Sequence, residues 1–160
     1  MRILIISDTH GRDEIFDEVL SQAGEIDMLI HCGDIEGHEA YYRKAVNCPV
    51  RMVPGNNDYF STMPRDIQFE IDGINVWVTH GHAYRVSLGM DYLVDEAMAR
   101  EADVVMFGHI HRPMIEQIGD LTLLNPGSLT YPRQENRKPS YIIMETDENE
   151  EPCYNIYYVE

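Results

Sequence analysis

The sequence predicts an α/β protein in which two β-sheets pack face to face and helices cover them from outside. Three observations carry this expectation. Short apolar runs recur along the chain and stop abruptly at Gly, Pro or polar residues, as buried strands do. Helical patterns separate the early runs, the alternation expected of βαβ units. Hairpin signals take over in the second half.

Taken in order, Met1–Ile6 stops at Ser7-Asp8, Asp27–Ile30 at His31-Cys32-Gly33-Asp34, and Val50–Val53 at Pro54-Gly55-Asn56. Val76–Val78 stops at Thr79-His80 and Val104–Phe107 at Gly108-His109. Between them, Asp13–Ala23 puts Ile15, Phe16, Val19, Leu20 and Ala23 on one helical face. His38–Val46 reads as a second, shorter helix and Leu88–Arg100 as a third, with Met90, Leu93 and Ala97 turned inward. Ile67–Ile71 and Ile74–Val78 flank an Asp72-Gly73 turn, and Met114–Ile118 and Leu121–Leu124 flank Gly119-Asp120. Tyr141–Glu145 and Tyr154–Val159 form a last strand pair, with the Tyr-rich second strand read as covered sheet ahead of an edge used for pairing, and the acidic stretch Asp147–Glu151 between them as a solvated turn. No repeat or linker interrupts this order, so residues 1–160 are expected to form one domain.

Composition narrows the function classes. Hydrophobic residues make up 44% of the chain, enough for a substantial core, which excludes a disordered protein. No apolar run approaches the roughly 20 residues needed to cross a bilayer. Ile3–Ile6 is too short, and too soon followed by Asp8, for a signal peptide. A cytoplasmic protein with no membrane partner is the expectation. Twelve Lys and Arg against 28 Asp and Glu leave a net charge of −16, which repels duplex nucleic acid and favours a small substrate. Cys32, Cys48 and Cys153 make no C-x-x-C pair and are read as buried or half-buried apolar residues. Oligomeric state is open, with a homodimer as one option.

The chemistry gathers at the strand ends. Asp8-Thr9-His10 offers a carboxylate and an imidazole, both ligands for a divalent metal, although the pattern also suits a loop or a helix N-cap. Gly33-Asp34 reads either as a capping turn or as a carboxylate whose two oxygens each take one metal. Gly55-Asn56-Asn57-Asp58 is a turn by composition, yet an Asn carbonyl oxygen is a neutral hard ligand. His80-Gly81-His82 and Gly108-His109-Ile110-His111, with His10, hold five of the seven histidines. Ligands of open α/β sheets converge beyond the strand carboxyl ends. Five such motifs on one edge point to a metal centre, where each alone reads as a turn.

In order the motifs are D-x-H, G-D, G-N-N-D, H-G-H and G-H-x-H. The set resembles the calcineurin-like metallophosphoesterase superfamily, and in length the small bacterial and archaeal phosphodiesterases within it. The resemblance runs from Ile3 to Ser128 and includes Asn125-Pro126-Gly127-Ser128, similar to a turn these members carry behind the site. It implies a four-layer α/β/β/α sandwich of two mixed sheets flanked by helices. It also implies a two-metal centre. Carried over by motif, Asp8, His10, Asp34 and His111 would hold one ion and Asp34, Asn56, His80 and His109 the other, with Asp34 bridging. A hydroxide shared by the two ions would attack phosphorus in line, served by Asp34, Asn56 and His80 as catalytic residues. Mn²⁺ is expected ahead of Ni²⁺, Fe²⁺ or Zn²⁺, and a small phosphate ester is the expected substrate.

One position departs from the pattern. Many superfamily members carry His where this chain has Asn57, and Asn has no titratable proton to give a leaving group. A phosphodiesterase is therefore expected rather than a phosphomonoesterase. Asp58 is read either as orienting a metal-bound His or as a helix cap, and His82 as supporting a ligand or facing substrate. The specificity surface is assigned to Gly37–Tyr42, Tyr59–Pro64 and Ala83–Met90. A non-catalytic metal-binding scaffold on the same fold is the alternative, and a DNA-processing nuclease is disfavoured by the acidic surface.

Overall fold

Alternation within each central strand explains the layers. In β1 (Arg2–Ile6), Ile3 and Ile5 point one way and Leu4 and Ile6 the other, and all four are fully buried. A strand that is apolar on both faces needs a packed layer on each side. Ile3 and Ile5 join Met28 and Ile30 of β2 (Met28–His31) and Ile142 and Met144 of β9 (Ser140–Asp147) in one cluster. That cluster also contains Val76 and Val78 of β5 (Ile74–Thr79), Val104 and Met106 of β6 (Val104–Met106) and Leu124 of β8 (Leu121–Pro126). It is the interior between two sheets.

The outward faces meet helices. Leu4, Ile6, Leu29 and Ile143 pack on Phe16, Val19 and Ala23 of α1 (Phe16–Ala23) and Tyr42 of α2 (Glu39–Ala45). Trp77, Val105 and Leu123 of the other sheet pack on Leu93 and Ala97 of α3 (Asp91–Ala99). The structure, a computed structural model describing residues 1–160, is thus the four-layer α/β/β/α sandwich of two mixed sheets.

With β3 (Val50–Met52), β4 (Asp66–Ile71), β7 (Pro113–Ile118) and β10 (Glu150–Tyr158), each sheet has five strands. Their orders are β10-β9-β1-β2-β3 and β4-β5-β6-β8-β7. β1, β2 and β3 are parallel, as are β5, β6 and β8, and the flanking pairs are antiparallel. The parallel strands matter for function, because their carboxyl ends share one edge. In the β4–β5 hairpin, Asp72 and Gly73 both take positive φ (47° and 81°), as the tight turn read from the sequence requires.

Several boundaries differ from expectation. α1 starts at Phe16 rather than Asp13, because the Asp13 carboxylate is engaged outside the helix, by His38 Nδ1 at 2.5 Å and the Tyr42 hydroxyl at 2.9 Å. α3 starts at Asp91 rather than Leu88, since Gly89 sits at φ 147° and Leu88 is left 85% exposed. β9 and β10 run into the acidic stretch, leaving only Glu148 and Asn149 between them. β10 is an edge strand rather than covered sheet: Tyr154 and Ile156 pack inward, and Tyr157 and Tyr158 stay partly open. The same alternation turns Cys153 outward and exposes it, contrary to its reading as a buried apolar residue. No helix is long and apolar enough to cross a membrane.

His31, at the end of β2, is fully buried against Tyr42, with ring centroids 5.0 Å apart. Its Nδ1 accepts the Gly33 N–H at 3.1 Å and its Nε2 contacts Thr9 Oγ1 at 3.0 Å. Burial pushes its pKa from 6.5 down to about 4, overriding the attraction of Asp8 and Asp58. The folded protein therefore holds it neutral while the unfolded chain takes up a proton, so its contribution is intact above pH 6.5 and is lost as pH falls towards 4. In chemical denaturation of the metal-free protein, His31→Gln should lower stability at neutral pH but flatten its decline between pH 6.5 and 4. An unchanged slope would show that His31 does not carry the acid sensitivity.

Candidate metal centre

Five turns beyond the parallel strands bring the polar motifs together, and hydrogen bonds lock them to one another. The Asp8 N–H donates to Gly33 O (2.9 Å), the His10 N–H to Asp34 O (2.9 Å) and the Gly108 N–H to His80 O (3.1 Å). The His109 N–H donates to Asp8 Oδ2 at 3.0 Å, tying the second sheet to the first. Asp8, His10, Asp34, His109 and His111 all adopt positive φ, between 49° and 71°. Left-handed backbone is uncommon for residues other than Gly and costs about 1–3 kcal/mol each, and such strain concentrates at functional sites. The turns also approach so closely that two glycines are obligatory. A Cβ on Gly55 would land on the Asp34 carboxylate, and one on Gly108 on Ser7 Oγ and Asp8 Oδ2.

The structure brings all seven expected ligand residues together, in two overlapping groups. Asp8, His10, Asp34 and His111 each offer a ligand atom, and these lie within 4.8 Å of one another. His111 Nε2 is 3.0 Å from Asp8 Oδ1, and His10 Nε2 is 3.3 Å from His111 Nε2 and 3.8 Å from Asp34 Oδ2. In the second group, Asn56 Oδ1 lies 3.1 Å from His80 Nε2 and 3.0 Å from His109 Nδ1, while His80 Nε2 is 3.5 Å from Asp34 Oδ2. Asp34 belongs to both.

The tautomers explain why these contacts do not satisfy one another. His10 Nδ1 faces Glu36 Oε1 at 2.8 Å, His80 Nδ1 faces Cys32 O at 2.7 Å and His111 Nδ1 faces Tyr131 O at 2.8 Å. All three partners are acceptors, so these nitrogens carry the protons and each neutral ring turns an Nε2 lone pair inward. Those lone pairs meet carboxylate oxygens and an amide oxygen, which are acceptors too. Asp8 Oδ1 is buried with no hydrogen-bond partner. Acceptors crowded around the buried Asp8, Asp34, His80 and His111 call for a cation, and mixed carboxylate, amide and imidazole ligand atoms fit a divalent transition metal.

The electrostatics agree. Burial alone would lower the pKa of His80, yet Asp8 and Asp34 outweigh it and raise it to about 9. Without metal, a proton on His80 partly supplies the missing positive charge, and a metal must displace it. Burial would raise Asp34 and Asp8, but His80 together with Asn57 holds Asp34 well below the carboxylate range, and His80, His111 and Ser7 lower Asp8. Burial, then the charge on His80, pushes His109 and His82 down. His109 thus stays neutral and able to ligate.

Residues behind the ligands differ from expectation in part. Asp58 neither orients a histidine nor caps a helix. Its carboxylate accepts the backbone N–H of Ile35 (3.1 Å), Glu36 (2.6 Å) and Gly55 (2.7 Å), stapling the Asp34 turn to the Asn56 turn. Asn57 donates its backbone N–H to Asp34 Oδ1 and its Nδ2 to Asp34 Oδ2, each at 2.9 Å. His82 belongs to neither group. Its ring lies 5.4 Å from His80 and 6.1 Å from His109, beside a cleft that Asn56 and Arg65 also line. The Asn125–Ser128 turn does lie behind the site: Asn125 Nδ2 donates to Gly108 O (2.9 Å) and Ser128 Oγ to Asp8 O (2.7 Å). Glu36 and Tyr131, which hold His10 and His111, were not singled out by sequence, since one is a lone acid and the other acts through its carbonyl.

Comparison with known proteins agrees with this geometry. Residues 1–149 match the calcineurin-like phosphoesterase superfamily domain, and the chain belongs to that superfamily. It is 34% identical to a probable metallophosphoesterase of Methanothermobacter thermautotrophicus, over 92% of this chain and 87% of that protein. A phosphodiesterase of Methanocaldococcus jannaschii is 27% identical over 79% of this chain and 83% of its own length. A solved structure from Streptococcus pneumoniae, described as a predicted phosphoesterase, superposes with a TM-score of 0.84 at 28% identity, covering 98% of this chain and 88% of that one. The chain is thus a metallophosphoesterase-family hydrolase with an Asp/His cluster able to bind metal.

Asp58→Ala removes the acceptor for three backbone N–H groups. It should cost about 1.5–3 kcal/mol in chemical denaturation, the range for hydrogen bonds to a charged partner. Wild-type stability in this variant would rule out the staple.

Proposed function

We propose that the chain is a two-metal phosphodiesterase that binds Mn²⁺ and hydrolyses small phosphate diesters. The observation that carries this reading is the pair of groups sharing Asp34, the first with an orphaned Asp8 Oδ1 and the second drawing a proton onto His80. Asp8, His10, Asp34 and His111 would hold one cation and Asp34, Asn56, His80 and His109 the other. When bound, such a pair supplies an activated water and neutralises phosphoryl oxygens during in-line attack.

The chain's own residues set the conditions for that chemistry. Cys32 O, Glu36 and Tyr131 O fix the rings of His80, His10 and His111 so that no reorganisation is needed on binding. Asp34, Asn56 and His80 line the part of the site nearest the second cation position. Asn57 is a positioning residue: its amide is spent on Asp34, and it has no proton to give a departing alkoxide. Diesters and aryl esters, whose leaving groups depart without protonation, are therefore favoured over alkyl monoesters. A net charge of −16 supports a small substrate over duplex nucleic acid.

Purified protein is expected to hydrolyse bis-p-nitrophenyl phosphate with Mn²⁺, to lose that activity in chelator and to lose it in Asp34→Ala. Tight Mn²⁺ binding without turnover would instead identify a metal-binding scaffold. Asn57→His should raise the ratio of alkyl-ester to aryl-diester hydrolysis by roughly a hundredfold, the lower end of what a positioned general acid contributes. Because the substitution also loosens Asp34, the ratio rather than the absolute rate is decisive, and a constant ratio would refute the leaving-group argument.

A further inference from the structure

Most arginines on this acidic surface make no salt bridge, so it is position beside the site histidines that singles out Arg133 and Arg137. Arg133 and Arg137 do not pair. Among the arginines, only Arg2 and Arg100 make salt bridges to carboxylates. Arg133 and Arg137 instead line an open cleft of about 400 Å³ with Tyr131, Pro132 and the site histidines His10 and His111. Arg12 lies over the Tyr131 ring at 5.4 Å and is likewise unpaired.

The stretch carrying these cations is anchored to the metal centre. Ser128 Oγ, which donates to Asp8 O, accepts the N–H groups of Thr130 (3.1 Å) and Tyr131 (2.9 Å). Thr130 Oγ1 donates to Thr9 O at 2.8 Å. Tyr131 O receives His111 Nδ1, and the Arg133 N–H returns to His111 O at 2.9 Å. Arg133 is therefore held in register with His111. Arg137 closes a turn through its N–H to Gln134 O (3.1 Å) and sits at φ 53°. A second cleft, beside the Asn57–Ser61 turn, has the opposite sign, with Glu36, Glu39 and Asp58 in its lining.

A lone phosphodiester carries a single negative charge, and the cations of the metal centre already face it. Two further unpaired guanidinium groups beyond the histidines have no role towards that phosphate. We propose that Arg133 and Arg137 bind a second, non-reacting phosphate group, so that the preferred substrate is a phosphodiester with a terminal phosphate on the arm lying past His10 and His111. This rests on the phosphoesterase reading above. Guanidinium forks pair with phosphate oxygens bidentately. The acidic cleft repels the same group, so charge alone orients the substrate.

p-Nitrophenyl thymidine 5′-phosphate and its 3′-phosphorylated counterpart release the same chromophore and differ only in the distal phosphate. With the Mn²⁺-loaded enzyme, the 3′-phosphorylated ester should show a KM about tenfold lower at low salt, the scale of two exposed ion pairs. The kcat values should be similar, and the advantage should shrink in roughly 0.5 M salt, where the Debye length is a few ångströms. Arg133→Gln with Arg137→Gln should abolish the difference. Arg43→Gln with Lys44→Gln, on α2, changes the net charge equally and should preserve it. Titration of the Mn²⁺-loaded protein with thymidine 3′,5′-bisphosphate and 5′-monophosphate gives a readout without turnover. Metal-dependent hydrolysis with equal KM and equal binding overturns the arginine subsite alone, as does a preference that survives the double Gln variant. Absent hydrolysis with arginine-dependent preference for the bisphosphate overturns the enzymatic reading and leaves the subsite standing.

Discussion

A meeting of hydrogen-bond acceptors, buried at Asp8, Asp34, His80 and His111, governs this molecule. Asp8, Asp34, Asn56 Oδ1 and the inward Nε2 atoms of His10, His80 and His111 face one another with no donor among the neutral groups. Isolated, such a cluster costs several kcal/mol per buried charge. The fold tolerates it because protons or cations complete it, and the raised pKa of His80 shows the protein drawing positive charge inward where it can.

Much of the surrounding architecture holds that unfavourable cluster in place. The first sheet supplies Asp8, His10, Asp34 and Asn56 from its strand ends, and the second supplies His80, His109 and His111. Neither sheet contains a complete group. The inter-sheet core is therefore part of the site: Ile3, Ile5, Val76, Val78, Val104 and Met106 set the spacing at which the ligands meet. Positive-φ backbone at five of the ligand residues, and close passage at Gly55 and Gly108, are local costs offset by that packing.

Sequence made the layers and the meeting of the polar strand ends legible for one physical reason. Both follow from strands that are apolar along their length and turn polar at their ends, a pattern strong enough to read at Ile3–Ile6 and at Val104–Phe107. What it missed depends on contacts between distant residues. The late start of α1 follows from Asp13 meeting His38 and Tyr42, which no local pattern encodes. Asp58 looked like a ligand's partner or a cap, and only the folded turns show its carboxylate gathering three backbone amides. The support of His111 by a main-chain carbonyl has no side-chain signature. Cys153 was misread because an edge strand exposes alternate residues that a covered strand would bury.

The pairing of β1 with β9 has a consequence for biosynthesis. Arg2 lies opposite Glu145, whereas the second sheet is built entirely from residues 66–126. As the chain leaves the ribosome, β2 can join β1 early, but the other edge of β1 stays open until β9, which begins only at Ser140, has emerged. That open, wholly apolar strand end is the segment most exposed to misassembly, and its closure by β9 and β10 is a late, long-range step. Because Asp8 and His10 follow β1 directly, the candidate metal centre inherits the timetable of β9 and β10.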